Sequence, residues 1–123
     1  FHRWPEHEAP YAGQPYICDE FGGLKWVPPE RRAEVGEGWG YGAEIGSVEE
    51  FCRLLEEEVG IILSLPALSG YCYTQLTDVE QEQNGIYNYD RSAKFDMARI
   101  AAIFRRTPER FGEAPAREGG ERR

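Results

Sequence analysis

The first candidate for chemistry in this sequence is a carboxylate that follows an apolar run. Glu20 comes after residues 16–18 and Asp19, and it precedes Phe21 and two glycines. Because glycines lack side chains, a bulky ligand can come close to the backbone there, and a carboxylate in this position can act as a nucleophile. The alternative is that Asp19 and Glu20 are solvated loop acids or contacts to a following helix. These residues alone leave both interpretations open.

A second polar segment carries acidic side chains at every second position: Asp78, Glu80 and Glu82. An alignment of this segment with a calcium-binding EF-hand loop puts Arg91 at the last position, where a bidentate glutamate is required. A calcium site is therefore excluded. The alternation instead predicts an extended segment that turns at Asn84 and Gly85. Acids in such a segment can hydrogen-bond the hydroxyl groups of a polyol.

Aromatic side chains are the third group of candidates, because their flat faces pack against the apolar faces of sugar rings. Trp26, Trp39 and Tyr41 lie on a glycine-rich segment, residues 24–46. A loop of this length inside a compact domain is more often functional than idle. The alternative is that the three rings pack this loop against the core.

Composition and charge exclude several other classes of function. The 123 residues carry 14 basic and 22 acidic side chains, a net charge of −8, which disfavours nucleic acid and anionic membrane surfaces as partners. No apolar run approaches the roughly 20 residues of a membrane-spanning helix. His2 and His7 lack metal-ligand spacing and no nucleotide-binding motif occurs, so the sequence predicts neither a metal nor a cofactor. The cysteines are predicted to be buried free thiols.

These candidates are positioned by a predicted order of strand, loop, helix, strand, loop and helix. Residues 16–18 predict a short strand that ends where the acidic residues begin, and residues 71–76 predict a second strand. Ser47 and Glu50 form a capping box at the start of the first helix. Ser92 is predicted to cap the second helix.

Each predicted helix presents an apolar face at helical spacing. On the first helix this face consists of Val48, Phe51, Leu55, Val59 and Ile62. The acids expected to face water are Glu56, Glu57 and Glu58. The face of the second helix consists of Phe95, Ile100, Ile103 and Phe104. Strands joined through helices run parallel, and α/β proteins carry their chemistry at the carboxyl ends of strands, which directs attention to Glu20 and residues 75–82.

Three segments share the pattern of one enzyme family. They are residues 15–23, Pro-Tyr-Ile-Cys-Asp-Glu-Phe-Gly-Gly; residues 39–42, Trp-Gly-Tyr-Gly; and residues 70–85, which contain Tyr-Thr-Gln-Leu-Thr-Asp-Val-Glu-Gln-Glu. Together they strongly resemble the catalytic domain of glycoside hydrolase family 2, over about residues 10 to 105. The resemblance implies an α/β fold, the last two β/α units (strands seven and eight with their helices) of a (β/α)8 TIM barrel.

The resemblance also implies how the chain is organised. Residues 1–112 would be the carboxyl-terminal part of the TIM-barrel domain, and residues 113–123 a flexible polar tail. The chain starts at Phe1 and its only methionine is Met97, so we expect a piece of a longer parent protein. The compartment in which that parent works stays open.

The chemistry implied by the resemblance is that of a retaining β-glycosidase, with Glu20 as its nucleophile. Asp19 stands where the family has a serine, which adds a like charge beside the nucleophile. The family's acid/base glutamate lies on strand four in an Asn-Glu context, and this sequence contains no Asn-Glu pair. We therefore expect the acid/base residue outside this chain and the isolated chain to be inactive.

The expected substrate is a β-glycoside of the galactoside or glucuronide class, with mannosides also open, and the mechanism requires no cofactor. Trp26 and Trp39 are the candidates for sugar stacking, and Gln75 and Asp78 are those for contacts to sugar hydroxyls. The expected partners are the carbohydrate and the remainder of the parent barrel. The competing interpretation is a non-catalytic carbohydrate-binding or assembly module, in which Glu20 is incidental.

Overall fold

The computed structural model describes residues 12–35 and 45–108. Within these ranges the elements are, in chain order, β1 (Tyr16–Gly22), a short 3-10 turn (Pro29–Arg31), α1 (Arg32–Val35), α2 (Val48–Ser64), β2 (Leu68–Thr74) and α3 (Met97–Phe104). The two strands pair in parallel, as a connection through a helix predicts. The described part of the chain is a small α/β unit. The predicted tail and both histidines lie outside the described residues.

Both strands differ in extent from their sequence predictions. β1 continues past its predicted end, through Asp19 and Glu20, because its last two residues pair with the last two residues of β2. β2 begins at Leu68 and ends at Thr74, since its first residue pairs with the first residue of β1. Because the paired residues of β1 and β2 are about 50 residues apart in sequence, the residues around each strand end do not show where pairing stops. The register shifts between residues 18 and 21, so the backbone beside Glu20 departs from a regular ladder.

Helix α2 follows its sequence prediction closely. The Ser47 hydroxyl accepts a hydrogen bond from the backbone N–H of Glu50 at 3.1 Å, and the Glu50 carboxylate accepts one from the N–H of Gly46 at 2.9 Å. The buried side chains of α2 are Phe51, Cys52, Leu55, Val59 and Ile62. The predicted apolar face is confirmed except at Val48, which is half-buried. Pro66 lies just beyond the end of the helix.

Helix α3 begins later than predicted, because Asp96 rather than Ser92 is its N-cap. The Asp96 carboxylate accepts a hydrogen bond from a backbone N–H of the first turn at 2.9 Å. The Ser92 hydroxyl belongs to the preceding loop, where it accepts a hydrogen bond from the Asn88 side chain at 3.0 Å. Phe95 therefore precedes the helix, and its ring stacks on Phe51 with centroids 4.2 Å apart.

The core of the described residues lies between the helices and one face of the sheet. It consists of Trp26, Ile45, Phe51, Cys52, Leu55, Val59, Ile86, Phe95, Ile100 and Ile103. Phe21 of β1 and Tyr73 of β2 pack against it from the two strands. The loop after β1 supplies Trp26, so the same core anchors the segment that leaves the strand end.

The rest of the sheet is open. Tyr16 and Ile17 are about half exposed, at 47% and 55%. The prediction of three buried thiols is correct only for Cys52, since Cys72 is exposed and Cys18 is partly exposed. All three are free thiols. Cys18 and Cys72 belong to the strands, and the described helices do not cover both faces of those strands.

Candidate functional site

A cavity opens at the carboxyl ends of β1 and β2, beside the candidate nucleophile that the sequence predicts. Its volume is about 290 Å³, and it is lined by Glu20, Phe21, Gly22, Gly23 and Thr74. The N–H of Gly23 donates to the Thr74 carbonyl at 2.9 Å, which ties the two strand ends together. Among the described residues that line the cavity, Glu20 is the only carboxylate.

Glu20 is exposed near the end of β1, while the next residue packs against the core. The Phe21 ring lies edge-to-face against Tyr71 and Tyr73, with ring centroids 5.3 and 5.4 Å apart, and it packs against the core. Glu20 is exposed, and so is Asp19 before it. The strand thus presents a carboxylate at its end while its neighbour fixes the strand in place.

The glycines of the cavity wall are required by the backbone. Gly22 and Gly23 have φ angles of +108° and +74°, in the region that favours glycine. A Cβ atom at Gly22 would lie 2.5 Å from the Tyr73 ring, closer than real Cβ contacts allow. This part of the wall is therefore bare backbone, which lets a bulky ligand come close to it.

Gln75 is the first residue beyond the cavity's Thr74, and the loop after β2 holds its side chain. The Gln75 amide donates to the Asn84 side-chain oxygen at 2.7 Å and to the Glu82 carboxylate at 3.4 Å. Its backbone carbonyl accepts a hydrogen bond from the N–H of Ile86 at 3.1 Å. The peptide bond between Thr74 and Gln75 is cis. The structure thus places this predicted hydroxyl contact beside the cavity, with its amide nitrogen bonded within the protein.

Asp78, the other predicted hydroxyl contact, is buried inside its own loop. Its Oδ1 lies 2.6 Å from the Lys94 Nζ and accepts a hydrogen bond from the N–H of Gly85 at 2.9 Å. The Lys94 ammonium also donates to the backbone carbonyls of Trp26, at 3.1 Å, and Gln83, at 3.3 Å. Burial lowers the pKa of Lys94, and the ion pair with Asp78 opposes that shift. Asp78 is bound within the protein and is not among the residues that line the cavity.

The loop after β2 reverses at a different place from the one predicted. Val79 and Glu82 exchange two backbone hydrogen bonds, at 3.0 and 2.8 Å, so the chain turns between them rather than at Asn84 and Gly85. Gly85 serves a different purpose, because a Cβ atom there would overlap the backbone of Asp78. The glycine allows the two ends of the loop to touch, which brings the Gly85 N–H onto the Asp78 carboxylate.

The two tryptophans predicted to stack on sugar are placed differently by the structure. The side chain of Trp26 is in the core, where the residue is 6% exposed and its ring centroid lies 5.1 Å from that of Phe95. This is the arrangement of the alternative interpretation, in which the ring packs the loop against the core. Trp39 lies outside the described residues.

A second carboxylate with unusual surroundings lies on α2. Glu58 was predicted to face water, but it is half-buried and its Oε2 atom is buried without a hydrogen-bond partner. Burial raises the pKa of Glu58 from 4.5 to about 7. The pKa of Tyr73 is also raised, chiefly by burial and then by the charges of Glu58 and Asp78. Glu58 belongs to the helix side of β2 and does not line the Glu20 cavity.

Lys94, the cation that pairs with Asp78, is not among the candidates that the sequence predicts. A single lysine before an aromatic residue matches no motif, and its partners lie 16 and 68 residues away in sequence, at Asp78 and Trp26. Only the fold brings these groups together. The one signal available was that a lysine stands directly before Phe95, a residue predicted to be in the core.

No protein-family model matches the chain, and no curated protein matches it at a significant level. Among residues 12–35 and 45–108, no three His, Cys, Asp or Glu side chains are grouped as a metal site would require. The helices in the described ranges are all too short or too polar to cross a membrane.

Proposed function

We propose that this chain is the nucleophile-bearing part of a retaining β-glycosidase that acts on β-galactosides or β-glucuronides. The observation that carries the proposal is the exposed Glu20 carboxylate at the carboxyl end of β1, in a cavity shared with Thr74 of the parallel strand beside it. Enzymes built from β/α units place their reacting groups at this end of the strands. The sequence resemblance to glycoside hydrolase family 2 gives the same residue the same role.

The proposal includes a larger fold, in which β1 and β2 are the seventh and eighth strands of a (β/α)8 barrel. The order β1, α2, β2, α3 and the parallel pairing of the strands support it. So does the open face of the sheet, since parallel strands are normally covered on both faces. In a barrel, that second face packs against side chains from the remaining strands.

The proposed reaction proceeds in two steps on one carbon atom. A Glu20 carboxylate oxygen attacks the anomeric carbon, an ester forms, and the bond to the leaving oxygen breaks while a carboxylic acid protonates that oxygen. Water then attacks the same carbon, gives its proton to the second carboxylate, and releases Glu20. The two carboxyl groups must lie about 5–5.5 Å apart. We assign the second one to a glutamate of the parent protein outside this chain.

The structure changes the roles that the proposal gives to the other predicted site residues. Gln75 remains a candidate for a sugar contact because it adjoins the cavity at Thr74. Asp78 acts indirectly, since Lys94 and Gly85 bind its Oδ1 atom. Trp26 supports the loop after β1 from within the core, and Trp39 remains the candidate for stacking.

Glu20→Gln in the parent enzyme tests the assignment of the nucleophile. The amide has nearly the same size as the carboxylate but cannot form the ester, so we expect kcat to fall by several orders of magnitude. The melting temperature should not change, because Glu20 is exposed. Asp19→Asn is the matched control, and it should keep measurable turnover. A 2-fluoro glycoside, which traps the ester, should label Glu20.

Two results would decide against the proposal. A 2-fluoro label on Asp19, Asp78 or Glu80 in place of Glu20 would move the nucleophile elsewhere. Binding of sugar by the parent without any turnover would favour the non-catalytic carbohydrate-binding or assembly module. An Asn-Glu pair in the part of the parent upstream of this chain would favour the enzyme.

A further inference from the structure

A buried cation joins the two loops that leave the Glu20 cavity. Lys94 lies just before α3, and its side chain has no exposed surface. Its ammonium donates to Asp78 Oδ1 at 2.6 Å, to the Trp26 carbonyl at 3.1 Å and to the Gln83 carbonyl at 3.3 Å. An ammonium has three protons, so these acceptors match its full donor capacity.

The acceptors belong to the segments that follow the two strands. Trp26 comes three residues after Gly23, and Asp78 comes four residues after Thr74; both Gly23 and Thr74 line the cavity. The two loops also touch directly, since the N–H of Trp26 donates to the Gln83 carbonyl at 3.3 Å. A residue spans at most about 3.6 Å of chain, so three or four residues keep the contacts of Lys94 close to the cavity wall. A displacement of either loop at Lys94 would therefore also displace the cavity wall.

We infer that Lys94 is a positioning residue, which holds the loops after β1 and β2 together and so fixes the walls of the Glu20 cavity. The inference rests on the proposed function of Glu20 and extends it to a residue that does not line the cavity. A lysine that served only to neutralise Asp78 would need a single contact. Lys94 has two more, to main-chain carbonyls of different loops.

Hydrogen exchange on the full chain tests this role without any need for turnover. The double variant Lys94→Met/Asp78→Asn removes both charges at similar volume, so that no buried charge is left without a partner. We expect the amides of Trp26 and Gly23 to exchange at least tenfold faster than in the wild type. The amide of Leu55, in the buried face of α2, should be unaffected, which distinguishes local opening from global unfolding.

Arg53→Met/Glu57→Gln is the matched control, because it also removes both charges of an ion pair, of 2.7 Å, but on the exposed side of α2. It should leave the exchange of Trp26 and Gly23 unchanged. Unchanged exchange at these two amides in the double variant would overturn the inference.

The parent enzyme supplies the second measurement. If Lys94 positions the cavity walls, the double variant should lose at least tenfold in kcat per active site titrated with a 2-fluoro glycoside, with KM changed less. A merely structural role would lower the number of titrated sites and leave kcat per site unchanged, and that result would overturn the inference. A wild-type parent that neither turns over glycosides nor takes the label at Glu20 would overturn the proposed function, while the exchange comparison would still decide whether Lys94 holds the loops.

Discussion

At Glu20, the charge of the neighbouring residue bears on the choice of substrate. Asp19 and Glu20 are both exposed, so water and salt screen their repulsion in the free chain. A bound sugar would displace water and strengthen every charge interaction at the strand end. Within the proposed function, the Asp19 carboxylate would repel the carboxylate of a glucuronide. Within the proposed function, this repulsion would favour a neutral galactoside over a glucuronide, although Asp19 itself does not line the cavity.

Glu58 makes the stability of the fold depend on pH. Its pKa in the folded chain is about 7, against an ordinary value of 4.5, so the folded state binds this proton more tightly than the unfolded state does. The contribution of the Glu58 proton to the stability of the fold is complete at pH values below the ordinary pKa. It is lost as the pH rises through the pKa of the folded chain. Glu58→Gln is neutral at every pH. We expect its stability relative to the wild type to rise between pH 4.5 and about 7 and then to level off.

Urea unfolding at pH values from below 4.5 to above 7 measures this difference, as the shift in the transition midpoint between the two proteins. Glu56→Gln, at an exposed position of the same helix, is the control for the change in net charge. A difference between the wild type and Glu58→Gln that stays constant across this range would show that Glu58 titrates alike in the folded and unfolded chains.

At the scale of the elements, Gly85 and Gly60 show how the surroundings of a glycine decide the effect of an added methyl group. A Cβ atom at Gly85 would overlap the backbone of Thr77 and Asp78, whereas at Gly60, within α2, the nearest atom is an Arg106 nitrogen at 3.6 Å. We expect Gly85→Ala to destabilise the chain by about 3 kcal/mol, because backbone must move. Gly60→Ala should stabilise it by about 0.5–1 kcal/mol, because alanine favours a helix.

Thermal unfolding of the two alanine variants, each beside the wild type, measures both effects. Opposite signs are the expected result. If Gly85→Ala unfolded at the same temperature as the wild type, the loop after β2 would be looser than the contacts of Gly85 indicate.

The elements that the sequence predicted well are those whose causes are local. Helix α2 has its cap, its apolar spacing and its terminating proline within a single stretch, and all three are present in the structure. The start of α3 was wrong because Ser92 had a competing use in the preceding loop, with Asn88. The strand ends were wrong because β1 and β2 extend each other through pairing, which no window of either strand contains.

The distinction between local causes and partners that are distant in sequence applies to the candidate site as well. The exposed position of Glu20 near the end of β1 could be anticipated from the sequence, because an apolar run, an acid and two glycines are adjacent. The burial of Asp78 could not be anticipated, because its partner Lys94 is 16 residues away in sequence and is brought to it by the fold. The role of Trp26 was ambiguous for a related reason. An aromatic ring on a loop can be buried in the core or exposed to stack on a ligand, and its tertiary contacts decide which. The Trp26 ring packs against Phe95 in the core.

At the scale of the whole molecule, the described residues form a two-stranded parallel sheet with helices packed against one side. Each strand is then an edge strand, and edge strands present backbone groups that pair readily with another chain. A pair of strands gains its stability from packing, and here the described helices supply that packing on one side only. Both features agree with the proposal that further strands of the parent barrel lie beside β1 and β2.

The proposal therefore predicts that this chain alone hydrolyses no glycoside. Because the proposal assigns the acid to the parent protein outside this chain, a leaving group would have to depart from the isolated chain without an acid to protonate it. The loss of a positioned acid typically costs about 10² to 10⁴ in rate. Incomplete closure of the site adds to this loss, because neighbouring strands that would orient the substrate are absent from the two-stranded sheet.

Nitrophenyl glycosides are the fair substrates for this assay, because their activated leaving groups need the least help from an acid. The purified chain should be inactive on a panel of them, and mixing it with the rest of the parent should restore hydrolysis that Glu20→Gln abolishes. Hydrolysis by the chain alone that survives Glu20→Gln would come from a contaminant or another residue. Hydrolysis by the chain alone that is lost in Glu20→Gln would place a sufficient acid within these residues, and the assignment of the second carboxylate to the rest of the parent would then be wrong.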